Sequence, residues 1–341
     1  MESPNPFESC HLSETSTGIN EKAQQMYTEI IPSLPEDHDW SHLDPFRFYQ
    51  YQSFWYPGYF LKGVIVAQKH FKAQPADIIV ASTPKSGTTW LKALTYAIVT
   101  RSQYGSQEVN PLLVTLPHDC VPFLELDILQ NPTDHHDDPK LPLRATHIPY
   151  TSLPASITSA GCKIVYIYRD PKDVFVSFWC FLAEGKDTEI SLEETFDQFC
   201  KGVSGFGPYW DHVLGYWKAS LEMPERVLFL KYEEMKKETL FHVKQLAQFM
   251  GYPFSSEEES QGAVKKIIDL CSFENLSNLE VNKTGKHNEH TPFAIENKAF
   301  FRKGKVGDWK NHLTAEMIHR IDQITAQKLH GTGLTYIAHQ S

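Results

Sequence analysis

Apolar and polar positions follow two periods along this chain. Asp77 to Ser82 is a short apolar run, rich in β-branched residues and bounded by polar ones, which predicts a buried strand. Pro84, Ser86 and Gly87 break the run. From Thr88 the apolar residues Trp90, Leu91, Leu94, Ala97 and Ile98 fall at helical spacing. Gly161 to Tyr168 predicts a second buried strand, ended by Arg169-Asp170-Pro171. A helix should then run from Lys172 through Ala183, with Pro171 in its first turn and Asp170 as N-cap. Arg226 to Leu230 predicts a third strand, followed by Lys231-Tyr232-Glu233. Helical patterns cover Leu61–Phe71 and Met235–Met250, the latter stopped by Gly251. Two more cover Glu257–Leu270, opened by a capping box of Ser256 and Glu259, and Ala315–Leu329, closed by Gly331.

Strands separated by helices predict an α/β fold, a central parallel sheet flanked by helices. With no repeat, low-complexity tract or linker, residues 45–341 are expected to form one domain. Residues 1–44 are polar and proline-containing, with one short helix expected around Glu21 to Ile31, and read as a loosely attached N-terminal arm. Arg47 to Phe60 is dense in aromatic residues. It fits core packing, and equally the wall of a pocket for a flat ring.

Composition narrows the function classes. A 341-residue chain with 41% hydrophobic and 13% aromatic residues is globular. A net charge of -10 argues against a general nucleic-acid or anionic-membrane surface, so an anion site must be a local basic pocket. The six cysteines include no C-x-x-C pair, which suits a reduced intracellular protein. The N-terminus has no basic-then-apolar leader pattern, and Glu2, Glu8 and Glu14 argue against a transit peptide. No apolar run reaches membrane-spanning length. A cytoplasmic protein is the expectation.

The candidate chemistry begins where the first strand ends. A strand, a glycine-containing turn and a helix aim free backbone N–H groups at an anion, and Lys85, Thr88 and Thr89 add a cation and hydroxyl donors. The turn is neither G-x-x-x-x-G-K-[ST] nor G-x-G-x-x-G. On its own it reads as a phosphate cradle with a displaced lysine, or as an ordinary strand–turn–helix. Arg169 and Ser177 in YRDPKDVFVSFW stand at another strand-to-helix junction. Phe300 to Lys310 puts Arg302, Lys303 and Lys305 around two glycines, a natural clamp for a doubly charged phosphate, although an isolated charge run is usually a solvated face. Asn131 to Pro139 holds His135 and His136 among aspartates, but adjacent residues rarely converge on one ion, and no metal site is expected.

Taken together, TPKSGTTW, YRDPKDVFVSFW and RKGKVGDWKN resemble, in the same order, three signatures of the soluble sulfotransferases. The similarity runs from about Leu43 to about Leu334. FCKGVSGFGPYWDHVLGYWKASLE and LCSFENLSNLEVNK resemble the plant members, the flavonol sulfotransferases above all. The resemblance implies transfer of a sulfonate group from 3′-phosphoadenosine 5′-phosphosulfate to a hydroxyl of a small acceptor. The product nucleotide would be adenosine 3′,5′-bisphosphate. By position, Lys85, Ser86, Gly87, Thr88, Thr89 and Trp90 would bind the 5′ side. Arg169, Ser177, Arg302, Lys303 and Gly304 would hold the 3′-phosphate. Tyr232, Cys271, Ser272 and Phe273 would line the adenine, with Trp90 stacked on it. His147 in RATHIPY would be the general base, Lys85 would neutralise the departing oxygen, and Ser177 would hold Lys85 away until both substrates are present. His118 would line the pocket or pack.

The chain departs from the animal pattern at three points. Ala145 stands where animal members carry lysine before the T-H pair, Cys271 where they often carry threonine, and the K-x-x-x-T-V-x-x-x-E dimer signature is only partly met. A monomer is therefore expected. A flavonoid or other phenol is the first acceptor, and a hydroxyjasmonate, brassinosteroid or desulfoglucosinolate the alternative. A small-molecule kinase would need a GK[ST] loop and acidic Mg²⁺ ligands, neither of which is found. A non-catalytic nucleotide-binding protein is the other reading.

Overall fold

The structure, a computed structural model, describes Gln25 and residues 27–37, 47–104, 109–130, 141–184, 190–289, 291 and 294–335. The 131–139 loop lies outside these residues, as does most of the 1–44 segment.

Four parallel strands form the central sheet: β4 (Ile78–Ser82), β5 (Leu143–Thr146), β6 (Lys163–Tyr168) and β7 (Val227–Lys231), in the order β5-β4-β6-β7. Three lie within a residue or two of the predicted runs. β5 was not foreseen, because LRAT is a four-residue strand that pairs along its length with β4, adds one bridge from Ala145 to Phe123, and shows no period. Ahead of the sheet, β1 (Glu36–Asp37), β2 (Phe48–Tyr51) and β3 (Phe54–Pro57) make an antiparallel meander. Its tight turn puts Gln52 and Ser53 at φ 51° and 70°. Pairing of β1 with β2 and burial of Tyr27 attach the described part of the N-terminal segment to the domain.

Both faces of the sheet are covered. Ile79 and Ala81 of β4 and Ile164, Tyr166 and Tyr168 of β6 enter one apolar cluster, while Ile78, Val80, Val165 and Ile167 enter the other. This is the period-two alternation of a strand. The first cluster is closed by helices α1 (Gly58–His70), α5 (Pro171–Ala183), α6 (Tyr209–Glu222) and α11 (Ala315–Leu329). The second is closed by α2 (Thr88–Thr100), α8 (Thr239–Met250) and α9 (Ala263–Leu270). The chain is therefore a single domain with a parallel sheet between helical layers.

Two predicted helices are each two helices. Glu238 leaves the helical conformation between α7 (Tyr232–Lys237) and α8. Met235, Val243, Leu246 and Met250 remain on one buried side across the break, so periodicity could not reveal it. Gly262, at φ 73°, separates Ser256–Ser260 from α9. The capping box there is Ser255 with Glu258, one residue earlier than the spacing suggested.

α3 (Pro117–Cys120) and α4 (Leu124–Gln130) lie between α2 and β5, and α10 (Phe273–Asn278) follows α9. α1 and α4 touch at Gly63, where a Cβ would sit 1.6 Å from the Glu125 carbonyl oxygen. Only glycine permits that approach, and it seats the buried Glu125 under the end of β5. The chain moves from β4 to β5 on one side and to β6 on the other. β4 thus marks a topological switch point, where open α/β sheets carry their ligand crevice at the carboxyl ends of the strands.

Candidate active site

A cavity of about 300 Å³ opens at those carboxyl ends. The residues that follow β4, β5, β6 and β7 include Lys85, His147, Arg169 and Tyr232, all of which line it, and the 300–304 segment closes it from the C-terminal side. Of the residues that the resemblance assigned to the donor and to catalysis, only Ser86 does not line it. Its side chain is fully buried, with Oγ 2.5 Å from the Thr83 hydroxyl, so Ser86 shapes the turn from inside.

The turn after β4 is built to present donors. Lys85 has φ 67° and Gly87 φ 107°, and Gly87 caps α2. A side chain at Gly87 would meet the Tyr232 ring at 2.7 Å, so turn and ring are in contact. Ser82 and Thr88 hydroxyls pair at 2.7 Å across the turn. The free N–H groups and positive dipole end of α2 face the crevice.

Lys85, Arg169, Arg302 and Lys303 converge on the cavity. The Lys85 ammonium donates to the Ala299 carbonyl at 3.4 Å and lies 4.0 Å from the Phe181 ring centroid. Phe181 follows Ser177 by one turn of α5. The restraint on Lys85 therefore comes from this ring and Ala299, with Ser177 beside them on the cavity wall. Burial, then the charges of Arg302 and Arg169, push the Lys85 pKa down to about 7. Arg169 donates to the backbone carbonyls of Lys85 (3.2 Å) and Lys305 (2.8 Å), tying two loops together, and faces Asp173 at 3.5 Å. The Nε atoms of Arg169 and Arg302 are buried without a hydrogen-bond partner. A buried donor of this kind is costly unless a ligand satisfies it.

Asp173 and Asp308, unremarked in the sequence, organise the C-terminal clamp. Asp173 accepts the N–H groups of Gly307 (2.8 Å) and Trp309 (3.2 Å). Asp308 accepts Arg302 at 2.5 Å and Lys303 at 2.7 Å. Burial opposes its charge, but the Lys303 and Arg302 hydrogen bonds prevail and hold its carboxyl well below the usual range. The Asp308 carboxylate thus occupies these two cations as an anionic ligand would. Gly304, at φ 60°, presses on Phe273, where a Cβ would fall 2.4 Å from the ring. With Trp90, Tyr232 and the buried Cys271, Phe273 walls a flat slot. Trp90 meets Tyr232 edge-on, with centroids 5.7 Å apart.

His147 follows β5 directly. Its Nδ1 lies 2.7 Å from the Ser82 carbonyl oxygen, which can only accept, so Nδ1 carries the proton and Nε2 is left as an acceptor. Glu125 accepts the His147 N–H at 2.8 Å and the Thr146 hydroxyl at 2.9 Å. Phe123 and Phe206 pack on the imidazole at 4.5 and 5.4 Å. Burial pushes its pKa down to about 3, against the Ser82 hydrogen bond and with the help of nearby cations such as Lys92 and Lys85. The ring is therefore neutral at physiological pH.

Beyond His147 the walls are aromatic. Phe48, Phe60, Phe178, Phe206 and Phe300 line the chamber. The aromatic stretch from Arg47 to Phe60 is divided: Phe48 and Phe60 line the cavity, while Phe54 and Tyr56 are core. Among the described residues no group of three or more His, Cys, Asp and Glu is arranged to hold a metal ion.

Residues 75–333 match the family model described as "Sulfotransferase domain". The chain belongs to the sulfotransferase family. Cytosolic sulfotransferase 16 of Arabidopsis thaliana is 52% identical over 318 residues, covering 92% of this chain and 93% of that protein. Flavonol 3-sulfotransferase of Flaveria bidentis is 50% identical over 310 residues, covering 90% and 98%. Among solved structures, an Arabidopsis thaliana sulphotransferase superposes with a TM-score of 0.73 at 36% identity, covering 96% of this chain and 99% of that one. The mouse sulfotransferase SULT7A1, solved with PAP, shares the fold at a TM-score of 0.65 and 24% identity, covering 83% and 94%. As a family member this enzyme takes its sulfonate from 3′-phosphoadenosine 5′-phosphosulfate, as the resemblance implied. No helix among the described residues is long and apolar enough to cross a membrane.

Proposed function

We propose that this sulfotransferase acts on a hydroxyl of a small, planar, phenolic acceptor such as a flavonoid, with His147 as general base, and works as a cytoplasmic monomer. The observation that carries the proposal is the division of one cavity into a cationic end and an aromatic end, with the neutral His147 between them. The donor fits the cationic end: unpartnered Arg169 and Arg302 Nε atoms, the ammonium of Lys85 and the glycine contacts at Gly87 and Gly304 suit a nucleotide with two anionic groups.

In this reading the donor supplies an activated sulfonate, displaced in line as in phosphoryl transfer. Nε2 of His147 takes the acceptor proton, and Ser82 and Glu125 hold the tautomer and the ring's place. Lys85 and the α2 terminus neutralise the oxygen that departs with the nucleotide. Lys85, Gly87, Thr88, Thr89 and Trp90 serve the 5′ side, with Ser86 acting through the turn. Arg169, Ser177, Arg302, Lys303 and Gly304 serve the 3′-phosphate, and Tyr232, Cys271, Ser272 and Phe273 the base. Two relatives at 50% and 51% identity bear flavonol sulfotransferase names, which supports the acceptor class.

The deciding experiment is a transfer assay with labelled donor against flavonols, a hydroxyjasmonate, a brassinosteroid and a desulfoglucosinolate. We expect the highest kcat/KM with a flavonol. Preference for one of the others would reject the phenolic acceptor, and bisphosphate binding with no transfer to any would favour a binding protein. A second result is expected at the clamp. Gly304→Val places a side chain against Phe273 in a left-handed backbone position, and should weaken bisphosphate binding about tenfold or more. Calorimetric titration checks this, and unchanged affinity would remove Gly304 from the donor site.

A further inference from the structure

Behind the donor turn lies a polar file that the mechanism above does not use. Lys92, one turn after Thr89 on α2, is fully buried. Its Nζ lies 3.0 Å from Nδ1 of the buried His118 and 3.2 Å from the Phe123 ring centroid. Nε2 of His118 lies 3.0 Å from the Thr89 hydroxyl, and Thr89 lines the cavity. The His118 ring also stacks on Phe123 and packs 4.3 Å from Phe300, so its orientation is held on several sides.

We propose that Lys92 and His118 are positioning residues for Thr89, which they fix as a hydrogen-bond donor to the sulfonate-bearing end of the donor nucleotide. The polarity follows from the donor inventory. An ammonium only donates, so Nδ1 of His118 accepts from Lys92 and the ring proton sits on Nε2. Nε2–H then donates to Thr89 Oγ1, whose own hydrogen is left for the cavity. With an uncharged amine at position 92 the file can reverse, and Thr89 then spends its hydrogen on His118. Burial lowers the Lys92 pKa well below its ordinary value, while Glu125 and Asp119 oppose that. An anion held against Thr89 favours the charged form, so ligand and file reinforce each other. The same Glu125 accepts the His147 N–H, which links the Lys92 charge electrostatically to the proposed base.

The inference rests on the proposed donor site, and the experiment separates the two. Binding of adenosine 3′,5′-bisphosphate is measured by calorimetry, and kcat and both KM values by steady-state kinetics. The variants are Thr89→Val, Lys92→Met, His118→Leu, His118→Gln and Thr89→Val combined with Lys92→Met. We expect Lys92→Met and His118→Leu each to lower kcat/KM for the donor about tenfold, the scale of one hydrogen bond to a charged group, with acceptor KM nearly unchanged. His118→Gln should recover most of that loss, because its amide can accept from Lys92 and donate to Thr89. On the Thr89→Val background, Lys92→Met should cost little more. Equal losses with Thr89 present or replaced, or a loss confined to acceptor KM, would overturn the relay. If Lys92→Met does not fold, the His118→Leu and His118→Gln pair decides by the same criterion. Failure of the unaltered protein to bind the bisphosphate would instead overturn the donor site on which the relay depends.

Discussion

Replacing His147 by alanine is expected to lower kcat by about 10²–10⁴-fold, the range for losing a positioned general base. Bisphosphate affinity should stay near the wild-type value, because the cationic groups stand on the loops after β4 and β6 and in the C-terminal clamp. The fold should persist, since the strand ladder is untouched; what is lost is the packing of Phe123 and Phe206 on the imidazole and the hydrogen bond to the buried Ser82 carbonyl. The pH profile adds a sharper test. With the imidazole pushed down to about 3 by burial, the base is already unprotonated across the physiological range. The acid-side fall of kcat/KM, which reports free-enzyme groups, should therefore lie well below the ordinary histidine value near 6.5. Normal turnover by His147→Ala would remove the base assignment.

Lys85→Met is expected to be comparably severe in turnover, about 10²–10³-fold, as for loss of a donor aimed at developing charge. Here the pH dependence has a definite sign. In the free protein the lysine pKa is pushed down to about 7 by burial, then by Arg302 and Arg169. A bound anion favours the ammonium, so binding between about pH 7 and the ordinary lysine value takes up a proton. Bisphosphate affinity should fall as pH rises through that window, and Lys85→Met should flatten this dependence. Stability moves the other way. Above pH 7 the unfolded chain holds a proton that the folded one has released, so this group's contribution rises with pH up to the ordinary lysine value. Lys85→Met removes a half-buried, poorly compensated cation and should leave thermal stability equal or higher in the absence of ligand. A variant that keeps the wild-type pH dependence of bisphosphate binding would show that another group sets it.

Local pattern reached a good part of this. IIVAS, KIVYIY and VLFLK are strands because apolar β-branched and aromatic residues fill both faces of a sheet buried on both sides. Asp170 and Pro171 open α5 as their capping chemistry requires. TPKSGT makes a donor-rich turn through the positive φ of Lys85 and Gly87, and the glycine was visible in advance. What local pattern could not reach were contacts between segments distant in sequence. β5 exists because β4 offers it an edge, and the Glu238 and Gly262 breaks leave the apolar face continuous.

The chain by itself determined the α/β layering and the cationic, hydroxyl and imidazole groups from which the site is made, because those depend on short-range period, capping and residue chemistry. Only the tertiary structure decided how those groups are electrically set. Burial makes His147 neutral and softens the Lys85 charge, Asp308 occupies the two clamp cations, and Glu125, seated by the close approach at Gly63, holds the base. It also turned Ser86 inward, gave Lys85 to Phe181 and Ala299, and set Lys92 and His118 behind Thr89. Desolvation and partner geometry arise only when residues up to about two hundred positions apart are brought within hydrogen-bonding distance, and no local period carries that information.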